Sequence, residues 1–214
     1  MQLDTQADLF ALLAEVFLEP EADVKVRLAA LLGQCPDKCP GLEALPAAIG
    51  KMLEACEKPR DLAVEYVRLF LHGDRFPTIH PYESVYTCGR LMAPECLNGL
   101  KELYDRADVK PKAGMALPPD HLGLELEFLS FLLRNLDQSP EGSAEAQDWR
   151  GLAERLLGRH LIPFARIFTR KLENSDPHPY FRYAGQVLVE ALTASCLTLG
   201  IESPLPMERV ASPD

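Results

Sequence analysis

The chain has 214 residues, of which 47% are hydrophobic and 25% charged, with 22 Lys and Arg against 32 Asp and Glu for a formal net charge of −10. A chain of this size and balance buries roughly 70% of its unfolded surface and needs no covalent staples to fold. Its acidity repels phosphate backbones and no basic stripe offsets it, which argues against nucleic acid as a partner.

Apolar residues recur at three- and four-residue steps along nearly the whole chain, and no segment alternates at period two. The pattern predicts an all-α, single-domain bundle of about nine to ten helices over residues 1–200. The opening segment MQLDTQADLFALLAEVFLEP carries acids inside its apolar stretch and no basic leader. It reads as an amphipathic helix over 3–19 rather than a cleavable signal, with Pro20 as its stop. Further helices follow at 23–32, ended by Gly33, at 41–57, and at 60–72, ended by Gly73. A long connection, Asp74–Met92, precedes a helix over 94–107 that has Pro94 in its first turn. A second connection, Asp108–Pro119, leads into the most apolar helix, 120–137. Helices at 143–159, 161–174 (with Pro163 near its start) and 179–199 complete the bundle. Residues 201–214 hold three prolines and no apolar period, the mark of a loosely attached tail.

No apolar run reaches the roughly 18 residues of a membrane span, so stable membrane insertion is not expected. Six cysteines, at 35, 39, 56, 88, 96 and 196, are scattered among helices and turns. Without a signal sequence they suggest a reducing, cytoplasmic compartment and no disulfide framework.

In DHLGLELEFLSFLLRNLD, helical spacing gathers Gly123, Glu127, Ser130 and Arg134 on one polar stripe. Glu125 falls opposite, on the face of Leu122, Leu129, Leu132 and Leu136, one turn from His121. A carboxylate on an apolar face needs a partner. Glu125 pairs inside the bundle, with His121 or an Arg of another helix, or Asp120, His121 and Glu125 line the floor of a cleft for a cationic ligand such as a guanidinium. Between Ala113 and Gln147 six acids stand against one base, Arg134.

A second constellation spans EYVRLFLHGDRFPTIHPYESVY. Tyr66, Leu69, Phe70 and Gly73 follow one another at helical spacing, and Tyr82, Glu83 and Tyr86 come after His80-Pro81. Tyr66 and Phe70 read either as core residues or as the apolar wall of a peptide groove.

The series Tyr66-x-x-Leu69-Phe70, Pro81-Tyr82-Glu83-Ser84-Val85-Tyr86 and Pro118-Pro119-Asp120-His121, ahead of Glu125-Leu126-Glu127-Phe128, resembles the TorD/DmsD family of redox-enzyme maturation chaperones. The likeness runs through residues 60–136, with weaker similarity on both flanks. It implies a helical cytoplasmic chaperone that binds the twin-arginine leader and the core of a molybdoenzyme catalytic subunit. The resemblance also implies assistance with cofactor insertion and proofreading before export. Asp120 and His121 would belong to the peptide-site signature, and Tyr66, Leu69, Phe70, Pro81 and Tyr82 to its apolar wall. Leu117 departs from the family pattern, which has Glu three residues before the Asp. That loss turns attention to Glu125 and Glu83. The alternative reading is a helical interaction module that binds the folded subunit regardless of its leader. Both monomer and dimer are compatible with the sequence.

Other chemistry finds little support. Cys35 and Cys39 have two-ligand spacing but no second pair, and His121 with Glu125 makes at most half a metal site. No nucleophile elbow, P-loop or dinucleotide fingerprint is present. The expectation is therefore a binding protein with no resident cofactor or metal, and not an enzyme.

Overall fold

The computed structural model describes residues 1–18, 24–34, 44–56, 59–71, 79–110 and 117–201. Pro20, Cys35, Cys39, His72, Gly73 and the tail beyond Ile201 lie outside the described residues. Ten α-helices are described: α1 (Leu3–Leu18), α2 (Val24–Gln34), α3 (Ala44–Ala55), α4 (Pro59–Tyr66), α5 (Glu83–Thr87), α6 (Pro94–Arg106), α7 (Leu122–Gln138), α8 (Ala144–Leu156), α9 (Ile162–Asn174) and α10 (Pro179–Leu199). The all-helical expectation holds. Gly33 lies inside α2 rather than ending it, since the helix runs on to Gln34. The short α5 falls within a stretch read as connection; five residues are too few to show a period.

Two π-helical turns have no counterpart in the apolar pattern. Val67–Leu71 extends α4, and Leu157–Leu161 joins α8 to α9 without a break. Such turns make i→i+5 bonds and insert one residue into the helical register, frequently at functional sites.

α1 is apolar nearly all round and lies at the centre, with Phe10, Leu12, Leu13, Val16 and Phe17 inaccessible to solvent. Its main partner is α7. Part of the polar stripe of α7 meets α1: Ser130 Oγ donates to the Ala7 carbonyl at 2.7 Å, and the half-exposed Arg134 pairs with Asp4 and Asp8, while Glu127 is exposed. Gly123 permits the close approach, since a Cβ there would lie 2.5 Å from Leu18 Cγ. On its other side α1 meets α10 through a satisfied polar contact. Gln6 Nε2 donates to Thr198 Oγ1 at 2.7 Å, and its Oε1 accepts from Ser195 Oγ at 2.7 Å.

An aromatic cluster ties α1, α4, α9 and α10 together. Phe17 meets Phe168 edge-on at 5.4 Å, and Phe70 meets Phe181 edge-on at 5.7 Å. The Tyr66 hydroxyl donates to the carbonyls of Phe17 and Leu18, carbonyls that have no partner within their own helix end. No helix among the described residues is long and apolar enough to cross a membrane.

Candidate functional site: an apolar cleft backed by buried acids

The π turn after α4 builds one wall of an open cleft of about 270 Å³. Val67 and Leu71 line it beside Tyr66 and Phe70, since positions i, i+1, i+4 and i+5 share one side of a helix. Pro81, Tyr82 and the buried His121 line it from other segments, with the half-exposed Leu117. Leu18 and Ala63 complete the lining. Leu71 and Leu117 remain 52% and 39% exposed. None of the ten described lining residues carries a formal charge, because burial pushes the His121 imidazole down to about 4.

Behind this wall two chain segments are laced together. Leu122 N donates to the Pro81 carbonyl at 2.8 Å, and Glu83 N donates to the Asp120 carbonyl at 2.9 Å. Tyr82 and His121 thus form an antiparallel bridge, with their rings edge-to-face at 5.2 Å. The Asp120 carboxylate accepts Ser84 N at 2.9 Å, which caps the start of α5. His121 caps α7 in turn, its Nδ1 accepting the amide of Gly123. The lacing explains why a Pro-rich loop and a helix start, distant in sequence, hold one shape.

Asp120 and Glu125 are inaccessible to solvent, and Glu83 and His121 are each 3% exposed. Glu83 is held by His160, whose Nδ1 lies 2.9 Å from Oε2. His160 belongs to the second π turn, and its ring packs beside Gly99 of α6. Glu125 differs. Its carboxyl oxygens have no hydrogen-bond partner among the described residues, and its link to His121 runs through the backbone, Glu125 N to the His121 carbonyl. Burial, together with nearby Glu83 and Asp120, pushes the Glu125 carboxyl well above the usual range and favours its protonated form. Tyr104 closes this acid cluster; its hydroxyl donates to the Pro119 carbonyl at 2.9 Å, and burial beside Glu125 raises it well above its ordinary value.

The structure therefore divides the nine candidate residues. Tyr66, Phe70, Pro81, Tyr82 and His121 meet at the cleft. Leu69 is core, and Glu83, Asp120 and Glu125 lie behind the wall, so the expected acid-lined floor is not formed. Burial decides against it: three carboxylates this close are held as cap, histidine partner and neutral acid rather than as open charges. Val67 and Leu71 escaped sequence reading because they flank the buried Tyr66 and Phe70 on the exposed side and carry no aromatic or polar signal of their own. His160 escaped it because nothing local marks a partner 77 residues away.

Among the described residues no group of three His, Cys, Asp or Glu side chains is placed to hold a metal ion. A disulfide joins Cys88 to Cys96, against the expectation that the cysteines stay unpaired; it closes a surface loop and staples no core. Cys56 and Cys196 are free and buried, with their thiols raised by burial.

The crystal structure described as that of a redox enzyme maturation protein from Archaeoglobus fulgidus matches this fold with a TM-score of 0.52 at 22% identity, over 89% of this chain and 95% of that one. The likeness shows the fold class, an all-helical bundle shared with that protein. The family described as nitrate reductase delta subunit matches residues 36–170. The chain belongs to this family, that of the TorD chaperones. It is 26% identical over 165 residues to the chaperone protein TorD of Aeromonas salmonicida, covering 77% of this chain and 73% of that protein. It is 31% identical over 143 residues to the selenate reductase assembly chaperone protein of Thauera selenatis, covering 67% of this chain and 72% of that one. The chain spans 64% of the length of the TorD of Vibrio cholerae serotype O1, at 26% identity.

Proposed function

We propose that this chain is a cytoplasmic chaperone for a molybdenum-containing redox enzyme, and that it holds the twin-arginine leader of the immature subunit until the cofactor is in place. In this reading it binds and releases; it is not an enzyme. The observation that carries the reading is the open cleft between the π turn and Pro81-Tyr82, with its uncharged lining. A leader of this type has a cationic end and an apolar stretch. The cleft suits the apolar stretch, while the arginines remain outside it, drawn by the field of a protein with net charge −10. Ordering a flexible peptide offsets on the order of 2–5 kcal/mol of the contact energy, which keeps the complex reversible.

Calorimetric titration with the leader of a molybdoenzyme subunit encoded beside this chain tests the reading. The intact leader binds, and replacing its apolar stretch with Ser and Gln weakens binding more than replacing its two arginines with lysines. No binding of the leader, combined with undiminished capture of a subunit lacking it, would instead support the module that recognises the folded enzyme.

A further inference from the structure

Ser84 is the knot between the cleft wall and the surface loop that follows it. Its amide goes to Asp120, its carbonyl accepts the amides of Cys88 at 3.1 Å and Arg90 at 3.3 Å, and its hydroxyl accepts the amide of Met92 at 3.1 Å. The loop thus wraps a residue two places from Tyr82. Holding it there requires left-handed backbone at Gly89 (φ 75°) and at Met92 (φ 59°), the latter disfavoured for a side chain with a Cβ. The Cys88–Cys96 bond spans the base of this loop, between the end of α5 and the first turn of α6, with a Cα–Cα separation of 6.5 Å. Both cysteines are half-buried among exposed Thr87, Gly89, Arg90 and Glu95, so a small thiol can reach them. Cys56 and Cys196, by contrast, are sealed in the core.

We propose that Cys88 and Cys96 form a reversible thiol–disulfide site, exchanging with low-molecular-weight disulfides and dithiols, whose state sets how firmly the loop clasps Ser84 and the cleft wall. Accessible disulfides are the labile and regulatory ones, whereas structural disulfides resist reduction. In oxidation, one cysteine loses its proton to solvent and its thiolate attacks a disulfide RSSR, forming a mixed disulfide and releasing RS⁻. The second cysteine, deprotonated likewise, attacks the protein sulfur of that mixed disulfide and expels the other RS⁻. Both RS⁻ take up protons, so two cysteine thiols are oxidised by two electrons while RSSR is reduced to two RSH. A dithiol reverses the sequence. With the bond open, the loop's own contacts to Ser84 must alone hold the disfavoured turn at Met92.

The proposal is independent of what fills the cleft, and so is its test. The full chain carrying Cys35→Ser and Cys39→Ser is equilibrated across ratios of glutathione to its disulfide, its free thiols are alkylated, and its peptides are mapped by mass. Amide exchange is followed over residues 79–92 in the same samples. The linked Cys88–Cys96 peptide is expected at oxidising ratios and is expected to vanish with a dithiol, while Cys56 and Cys196 stay unlinked. Exchange over 84–92 is expected to slow by about tenfold on oxidation, and Cys88→Ser or Cys96→Ser to remove that difference. The proposal is overturned by free thiols or separate glutathione adducts at every ratio, by a bond that no dithiol opens, or by equal exchange in the two states of the Cys35→Ser/Cys39→Ser chain, a comparison that needs neither pair variant to fold.

Discussion

The cleft and the acid cluster lie on two sides of one strip of backbone, Pro81–Ser84 laced to Asp120–Leu122, and they treat polarity in opposite ways. On the open side, Tyr66, Val67, Phe70, Leu71 and Leu117 present uncharged surface to whatever enters. On the closed side, Glu83, Asp120 and Glu125 crowd together out of water, each handled differently: a histidine partner, a cap, and a carboxyl kept neutral by burial. Carboxylates adjacent to aromatics in sequence are therefore not adjacent to them on a binding surface. Here the acids lie behind the wall, and the apolar side chains face the cleft.

The contrast is sharpest in its pH dependence. His121 has its folded value depressed from 6.5 to about 4, so the unfolded chain binds the extra proton between those limits. Stability from this residue is full above 6.5 and is lost as pH falls toward 4, by up to about 3 kcal/mol. His121→Asn keeps an acceptor for the Gly123 amide and should flatten that acid limb in denaturant titrations; an unchanged limb would place its origin elsewhere.

Glu125 slopes the other way. Its folded value is raised, so its contribution is intact below the unfolded carboxyl range and declines as pH rises above it. Glu125→Met should stabilise the protein near neutral pH by about 1–3 kcal/mol, the cost of an unpartnered buried polar group, and by less in acid. Equal gains at both ends of the range would show that the carboxyl is not neutral in the fold.

On the open side, Val67→Asp and Leu71→Asp alter partly exposed side chains and should leave the unfolding midpoint in place. Each should weaken leader binding about tenfold, or about 1.4 kcal/mol. Loss of stability without loss of binding would reverse the assignment of the two faces. The smallest effect is expected for Arg134→Ala. Its pairs with Asp4 and Asp8 are 40–62% exposed, which limits the cost to about 1 kcal/mol or less in chemical denaturation.

Much of the fold was legible in the chain. The three- and four-residue apolar rhythm marked α1, α6, α7 and α10 to within about two residues, and Pro94, Pro163 and Pro179 stand at helix starts. Of the nine candidate residues that the sequence motifs bring together, Tyr66, Phe70, Pro81, Tyr82 and His121 share one cleft. Glu125 stands out in the helical pattern, but its surroundings are not visible there: of the partners the pattern offers, His121 spends its acceptor on the helix start, and no Arg reaches the carboxyl among the described residues.

The amino-acid sequence by itself determined that this protein is helical, where most helices run, and which aromatic and acidic residues are unusual. These properties are local, set by spacing within a few turns. Only the tertiary structure decided which of the unusual residues face outward. That outcome depends on contacts that unite distant segments, such as Glu83 with His160 and Ser84 with Asp120. Desolvation then settles the rest, since a carboxyl loses or keeps its charge according to what packs around it, and packing is absent from a linear pattern.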